Sequence, residues 1–260
     1  MSDLLNSLYW ISLGTLVRRE VKRFLRIWVQ TLLPSLITTL LYFLIFGQIM
    51  GERIQMIHGV RYMAYISPGL IMMTIVTNAF NNVSSSFYGM RFQKNIEELL
   101  IAPIPNALLL LGFVLGGAVR GLIVGILVTL LSLCFTPLPI SHPWVLLAIL
   151  PSTALLFSLA GFLNGLFAKS FDDISMIPTF ILTPLTYLGG IFYPIEALPP
   201  FWRSVSLLNP FVYIVNAFRY ALIGISDVPI GHALLVVWAC CVGLVILNSY
   251  LLRTSGKLRS

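Results

Sequence analysis

Between Arg120 and Lys169 the chain reads Gly121-Leu122-Ile123-Val124-Gly125-Ile126-Leu127-Val128-Thr129-Leu130-Leu131-Ser132-Leu133-Cys134-Phe135-Thr136-Pro137-Leu138-Pro139-Ile140-Ser141-His142-Pro143-Trp144-Val145-Leu146-Leu147 and continues to Ala168 without one Asp, Glu, Lys or Arg. The run is too long for one helix. Three prolines between residues 137 and 143 remove backbone donors and forbid helix continuation, so it divides into two apolar segments joined by a turn. Each segment has the length of a bilayer crossing, about 20 apolar residues.

Working outward from that run, charge-free stretches separate the remaining charges. They lie between Arg26 and Glu52, Arg61 and Arg91, Leu99 and Arg120, Asp173 and Glu196, and Asp227 and Arg253. The expected spans are 30–50, 63–86, 107–135, 144–168, 174–193 and 229–252. Composition agrees: of 260 residues 58% are hydrophobic and 10% charged, against roughly 25% charged in a soluble domain. No soluble core of this size encloses so much apolar surface. Cys134, Cys240 and Cys241 all sit in apolar runs, so no disulfide framework is indicated. The basic excess reads as membrane orientation rather than nucleic-acid binding. The first apolar run lacks a small-residue cleavage site and is expected to remain as a span.

The fold expected is an all-α integral membrane protein, one transmembrane domain over 1–260. It has six transmembrane helices, an amphipathic N-terminal interfacial helix (1–28) and a short re-entrant outer-leaflet helix pair before the last span. Basic residues place both termini in the cytoplasm: Arg18, Arg19, Lys22, Arg23, Arg26, Arg91, Lys94, Lys169, Arg253, Lys257 and Arg259 fall on one side, and only Arg53, Arg61, Arg203 and Arg219 on the other. Residues 194–227 are apolar but broken by Pro199, Pro200, Arg203, Asn209, Pro210 and Arg219, which is the reason for the re-entrant assignment. In the N-terminal helix, Val17, Val21, Phe24 and Trp28 form the expected apolar side, with the cations around the rest and near lipid head groups.

Four features carry functional expectations. The 87–105 loop contains Arg91-Phe92-Gln93-Lys94-Asn95-Ile96-Glu97-Glu98-Leu99-Leu100, a charged helical pattern closed by Pro103 and Pro105 and suited to docking a protein; Lys94 and Glu98 stand four residues apart. Thr74, Asn78, Asn81, Asn82 and Ser85 form a polar stripe in the second span, which lines a route or glues helices together. The third span carries Gly112, Gly116, Gly117, Gly121 and Gly125 around Arg120, a charge costing roughly 2.5–3.5 kcal/mol at a span centre and therefore turned inward. His58, His142 and His232 are dispersed, no metal spacing is present, and no GxxxxGK[ST] loop or GxSxG elbow occurs.

Asn95-Ile96-Glu97-Glu98-Leu99-Leu100-Ile101-Ala102-Pro103-Ile104-Pro105, followed by Thr183-Pro184-Leu185-Thr186-Tyr187-Leu188-Gly189-Gly190-Ile191-Phe192-Tyr193-Pro194, Leu198-Pro199-Pro200 and Leu208-Asn209-Pro210, resembles the permease subunit of type-2 bacterial ABC exporters. The resemblance implies a homodimer in the bacterial inner membrane, bound to two separate ABC ATPase subunits. ATP and magnesium would sit on those subunits, and this chain would bind no cofactor and catalyse no reaction. It implies that Lys94, Asn95, Ile96, Glu97, Glu98, Leu99 and Leu100 form a coupling helix and that Phe171, Asp172 and Asp173 make a second contact. Apart from the resemblance, Tyr187 joins the pathway-lining candidates as an aromatic residue that suits either a drug or a glycolipid cargo. The competing expectation is a self-sufficient secondary transporter or channel; the spans contain no acidic residues for a proton relay, which weighs against it.

Overall fold

The computed structural model describes residues 2–54, 56–93 and 105–254. Among the described residues five helices have the length and apolarity to cross a bilayer: α2 (Trp28–Gly47), α3 (Tyr62–Phe92), α4 (Asn106–Leu133), α5 (Pro143–Phe167) and α10 (Ile230–Thr254). They are preceded by α1 (Ser2–Arg26). Between α5 and α10 lie α6 (Phe171–Ile177), α7 (Thr183–Tyr187), α8 (Pro200–Leu207) and α9 (Pro210–Ile223). Among the described residues the only sheet is a hairpin, β1 (Met56–Ile57) with β2 (Val60–Arg61), turning through His58 and Gly59 at positive φ.

The expected fifth span is corrected in length. Helix runs from Phe171 only to Tyr187, as α6, a wide π-type turn over Pro178–Leu182, and α7. Pro178 and Pro184 lack donors, so the regular ladder cannot pass through them; the Thr183 hydroxyl donates to the Pro178 carbonyl at 3.0 Å instead. Gly190 at φ 70 then turns the chain, and 188–193 are not helical. At about 1.5 Å per residue this composite reaches roughly 25 Å, at the lower limit of a crossing.

α3 is the axis of the fold, and 72% of its most apolar stretch is buried, against 17% for α2 and 11% for α10. Glycines bring its neighbours onto its backbone. A Cβ on Gly161 of α5 would lie 2.3 Å from the Phe80 carbonyl oxygen, and one on Gly117 of α4 would lie 2.3 Å from Val83 and 3.0 Å from the Ala79 carbonyl. The α4 glycine ladder has two faces, because Gly112 and Gly116 receive Leu16 and Glu20 of α1. The buried stripe of α1 is therefore Leu16, Glu20 and Phe24. That corrects the expected stripe: Val17 and Val21 are half-buried, and Trp28 begins α2 and is exposed.

The broken segment forms the expected pair of short helices. Asn209 caps α9, accepting from the Phe211 N–H at 3.0 Å and donating to the Leu185 carbonyl at 2.6 Å. Gly224 ends α9 in a left-handed conformation, as helix C-termini favour. The proline-rich turn after α4 docks there: the backbone N–H groups of Ser141 and His142 donate to the Leu222 and Ala221 carbonyls.

Candidate functional site

The polar stripe of α3 divides between two surroundings. Asn78 and Asn82 are buried, whereas Thr74 is half-buried and Asn81 and Ser85 are exposed. The buried amides meet Arg120, which donates to the Asn78 Oδ1 at 3.0 Å, to the Asn82 Oδ1 at 3.5 Å and to the Thr31 carbonyl at 3.4 Å. Asn78 in turn donates to the Ser35 hydroxyl of α2 at 2.9 Å. Arg120 thus faces the protein interior, held by neutral oxygens rather than by an acid.

A second guanidinium reaches the same amide. Arg23 of α1 donates to the Asn82 Oδ1 at 2.9 Å, to the Asn82 carbonyl at 3.0 Å and to Glu20 at 3.2 Å. Glu20 is 1% exposed and also pairs with Arg19 at 3.4 Å. Glu20 and Arg23 escape a reading restricted to the spans; Ser35 lies inside the expected 30–50 span, where a single hydroxyl carries no signal of its own. The available signal is that Glu20 is the one acid in a basic stretch, four residues from both Leu16 and Phe24, on the side that packs.

At the end of the bundle nearest the 87–105 loop, α5 turns into α6 through a tight elbow. Ser170 caps α6 and Asp173 completes a capping box, its Oδ2 accepting from the Lys169 and Ser170 N–H groups at 2.8 and 3.1 Å. The Lys169 N–H, together with hydrogen bonding to Ser170, holds the Asp173 carboxyl below its usual range. Phe171 packs edge-on against Tyr88 and Phe92, the Tyr88 hydroxyl donates to the Lys169 carbonyl at 2.9 Å, and Arg91 donates to the Leu166 carbonyl at 2.7 Å. Asn164 joins α3 to α6 through Ser84 and the Ile174 carbonyl. The structure therefore brings Phe171, Asp172 and Asp173 to the end of α3 from which the 87–105 loop departs. Lys94, Asn95, Ile96, Glu97, Glu98, Leu99 and Leu100 lie outside the described residues.

Tyr187 does not join the α3 stripe. It sits at the opposite end, its hydroxyl 3.4 Å from that of Tyr42, beside Phe46 and Phe192, while Tyr62 at the start of α3 donates to the Phe192 carbonyl. Tyr62 to Asn82 spans about 30 Å of helix at 1.5 Å per residue. Near that end Arg219 of α9 is wholly buried: its Nε donates to the Tyr65 carbonyl at 3.3 Å, its Nη2 to the Gly190 carbonyl at 2.6 Å, and its Nη1 lies 3.9 Å from Asp227. His58 stands 3.8 Å from the other oxygen of Asp227.

Among the described residues no three His, Cys, Asp or Glu side chains gather as metal ligands. What the geometry offers is a helical membrane body with polar surface at both ends of its axis. The family model for the ABC-2 type transporter matches residues 11–223. The chain belongs to the ABC-2 type transporter family. Among curated relatives, this ABC-2 type permease is 58% identical over 224 residues to the inner membrane transport permease YadH of Escherichia coli K12, covering 86% of this chain and 87% of that one. It is 25% identical over 258 residues to nodulation protein J of Rhizobium meliloti, covering 95% and 94% of the two chains. It is a multi-pass, all-α membrane transport subunit.

Proposed function

We propose that this chain is the membrane half of an ATP-driven exporter of the bacterial inner membrane, acting as a homodimer on which separate ABC ATPase subunits dock. ATP and magnesium would be held by those subunits. The observation that carries the reading is the convergence at one end of α3. The capped elbow with Phe171, Asp172 and Asp173 is riveted by Tyr88 and Arg91 to the same helix end that leads into Lys94–Leu100. A push on either contact is delivered directly to α3, the most buried helix and the one bearing the polar stripe. The similarity to the inner membrane transport permease YadH supports the inner-membrane location.

The described parts of α1 and α10 meet α4 at this end of the bundle. α1 packs on α4 near Gly112 and Gly116, and Asn106 at the start of α4 donates to the Leu252 carbonyl of α10 at 3.2 Å. That agrees with both termini in the cytoplasm beside the ATPase. Thr74, Asn81 and Ser85 are left open on α3, and such side chains are costly against lipid. A second copy sharing a polar pathway gives them suitable surroundings, with Tyr187 near its outer mouth. The α8–α9 pair would lie in the outer leaflet as a gate. ATP binds the two arrangements of the assembly unequally, which supplies the bias for transport.

Pull-down of the full-length chain is expected to recover a P-loop ATPase, and Glu97→Arg with Glu98→Arg should release it while leaving the helical content unchanged. Retained ATPase association and transport in that double variant would refute the coupling role. Uphill transport by vesicles holding only this chain would refute the exporter reading.

A further inference from the structure

An open cleft of about 1210 Å³ runs between α1, the last turns of α3 and the start of α6. Its α1 wall carries Arg18, Arg19, Lys22, Arg23 and Arg26 against the single carboxylate of Glu20, an excess of four positive charges. Glu20 is already shared by Arg19 and Arg23. Among the described residues Arg18, Lys22 and Arg26 make no ion pair. Behind this wall Arg23 and Arg120 converge on one amide oxygen, that of Asn82. Two guanidinium groups so placed repel each other in a poorly solvated site.

Two orphaned donors lie behind the same wall, buried and outside the lining of the cleft. Asn82 is 0% exposed, and its Nδ2 has no hydrogen-bond partner among the described residues; neither does the buried Nε of Arg120. Unpaired buried donors are costly and leave the positive charge behind the wall uncompensated, while the groups open to an anion are the α1 cations that line the cleft. Ser85, Ser86 and Gly89 complete the opposite wall, supplying small or hydroxyl-bearing positions rather than competing carboxylates.

The cleft also opens onto hydrocarbon surface. Ile27 lines it, and the chain continues into exposed Trp28, Val29, Leu33 and Ile37 of α2. A ligand with a charged head and apolar tail satisfies both parts at once. We propose that this cleft seats the phosphate headgroup of an anionic phospholipid from the leaflet bordering α1, with its tails against the Ile27–Ile37 surface. The bound phosphate balances the α1 cations and draws α1 toward α3. The inference rests on α1 lying at the membrane surface and is independent of any ATPase partner.

Native mass spectrometry of the purified full-length chain, titrated with phosphatidylglycerol, phosphatidylcholine or glycerol 1-phosphate, tests it. Phosphatidylglycerol should bind most tightly. The triple variant Arg18→Gln, Lys22→Gln, Arg26→Gln should bind it on the order of 100-fold more weakly, each cation near a membrane surface contributing roughly fivefold. These three side chains lie outside the Glu20–Arg23–Asn82 bonds, so folding should be kept, as circular dichroism would register. A control removing equal charge elsewhere, Arg61→Gln, Arg203→Gln, Arg253→Gln, should bind as the parent does. Equal retention of phosphatidylcholine, parent-like binding by the α1 triple, or equal loss in the control would each overturn the proposal. Glycerol 1-phosphate binding as tightly as the lipid would assign the cleft to a soluble phosphate and overturn it as well.

Discussion

Replacing Asp227 by Asn tests the charged latch around Arg219. Arg219 is fully buried and the Asp227 side chain is 3% exposed, with 3.9 Å between Nη1 and Oδ2. At that separation and an effective dielectric near 20, the Coulomb attraction is about 4 kcal/mol. Removing one partner of a buried pair costs about 3–5 kcal/mol, because the survivor keeps its desolvation penalty. The Tyr65 and Gly190 carbonyls and the Tyr65 ring, 3.8 Å from the guanidinium carbon, remain as partners, so the loss belongs near the low end, about 3 kcal/mol. For a chain of this size that is roughly 6–12 °C in Tm. Adding Arg219→Leu removes the stranded charge, so the double variant should lose less than the two single losses together. Thermal unfolding of detergent-solubilised protein, followed by circular dichroism at one fixed scan rate, measures both. A Tm for Asp227→Asn within 2 °C of the parent, or a double variant that falls by the full sum, would refute the pairing.

Other outcomes follow from local geometry. Gly161→Ala should lose about 1–3 kcal/mol, because the new Cβ meets the Phe80 backbone and not a yielding side chain; Gly14→Ala, with nothing within 4 Å, should gain up to about 1 kcal/mol from helix propensity. Their melting temperatures should move in opposite directions. Ser170→Ala removes the α6 cap and should cost about 1 kcal/mol, read as earlier hydrogen exchange of the α6 amides. Because the Asp173 carboxyl is held below its usual range, its contribution is complete above the unfolded value near pH 4. That contribution is lost as pH falls through the lower folded value, so Asp173→Asn should flatten the acid limb of a stability–pH curve. Glu20→Gln should cost about 1.5–3 kcal/mol, the range for hydrogen bonds to charged groups, and loosen α1, measured as faster proteolysis at its arginines.

The spans were legible because bilayer burial leaves a coarse mark: charges stop where lipid starts. The expected 107–135, 144–168 and 229–252 match Asn106–Leu133, Pro143–Phe167 and Ile230–Thr254 within two residues at each end. The 174–193 segment carries the same apolar mark, but its end is set by Pro178, Pro184 and a left-handed Gly190, which hydrophobicity does not register. For the site, the period of α3 placed Asn78 and Asn82 on one face. It could not show that Asn81 and Ser85, on the edge of that face, would be left bare. Arg120 demanded a partner from energetics alone. Its partners are Thr31 of α2 and Asn78 and Asn82 of α3, and only the packing of α2 and α3 on α4 brings them there.

The backbone-to-backbone seams joining α3 to α4 and α5 leave no slack for sliding, since Gly117 and Gly161 already hold carbonyl oxygens where a methyl group would be. Those three helices must travel as a single keel. Any movement that opens this body has to swing that keel whole, with the flexing confined to the thinly held α2 and the proline-broken α6–α7 strut.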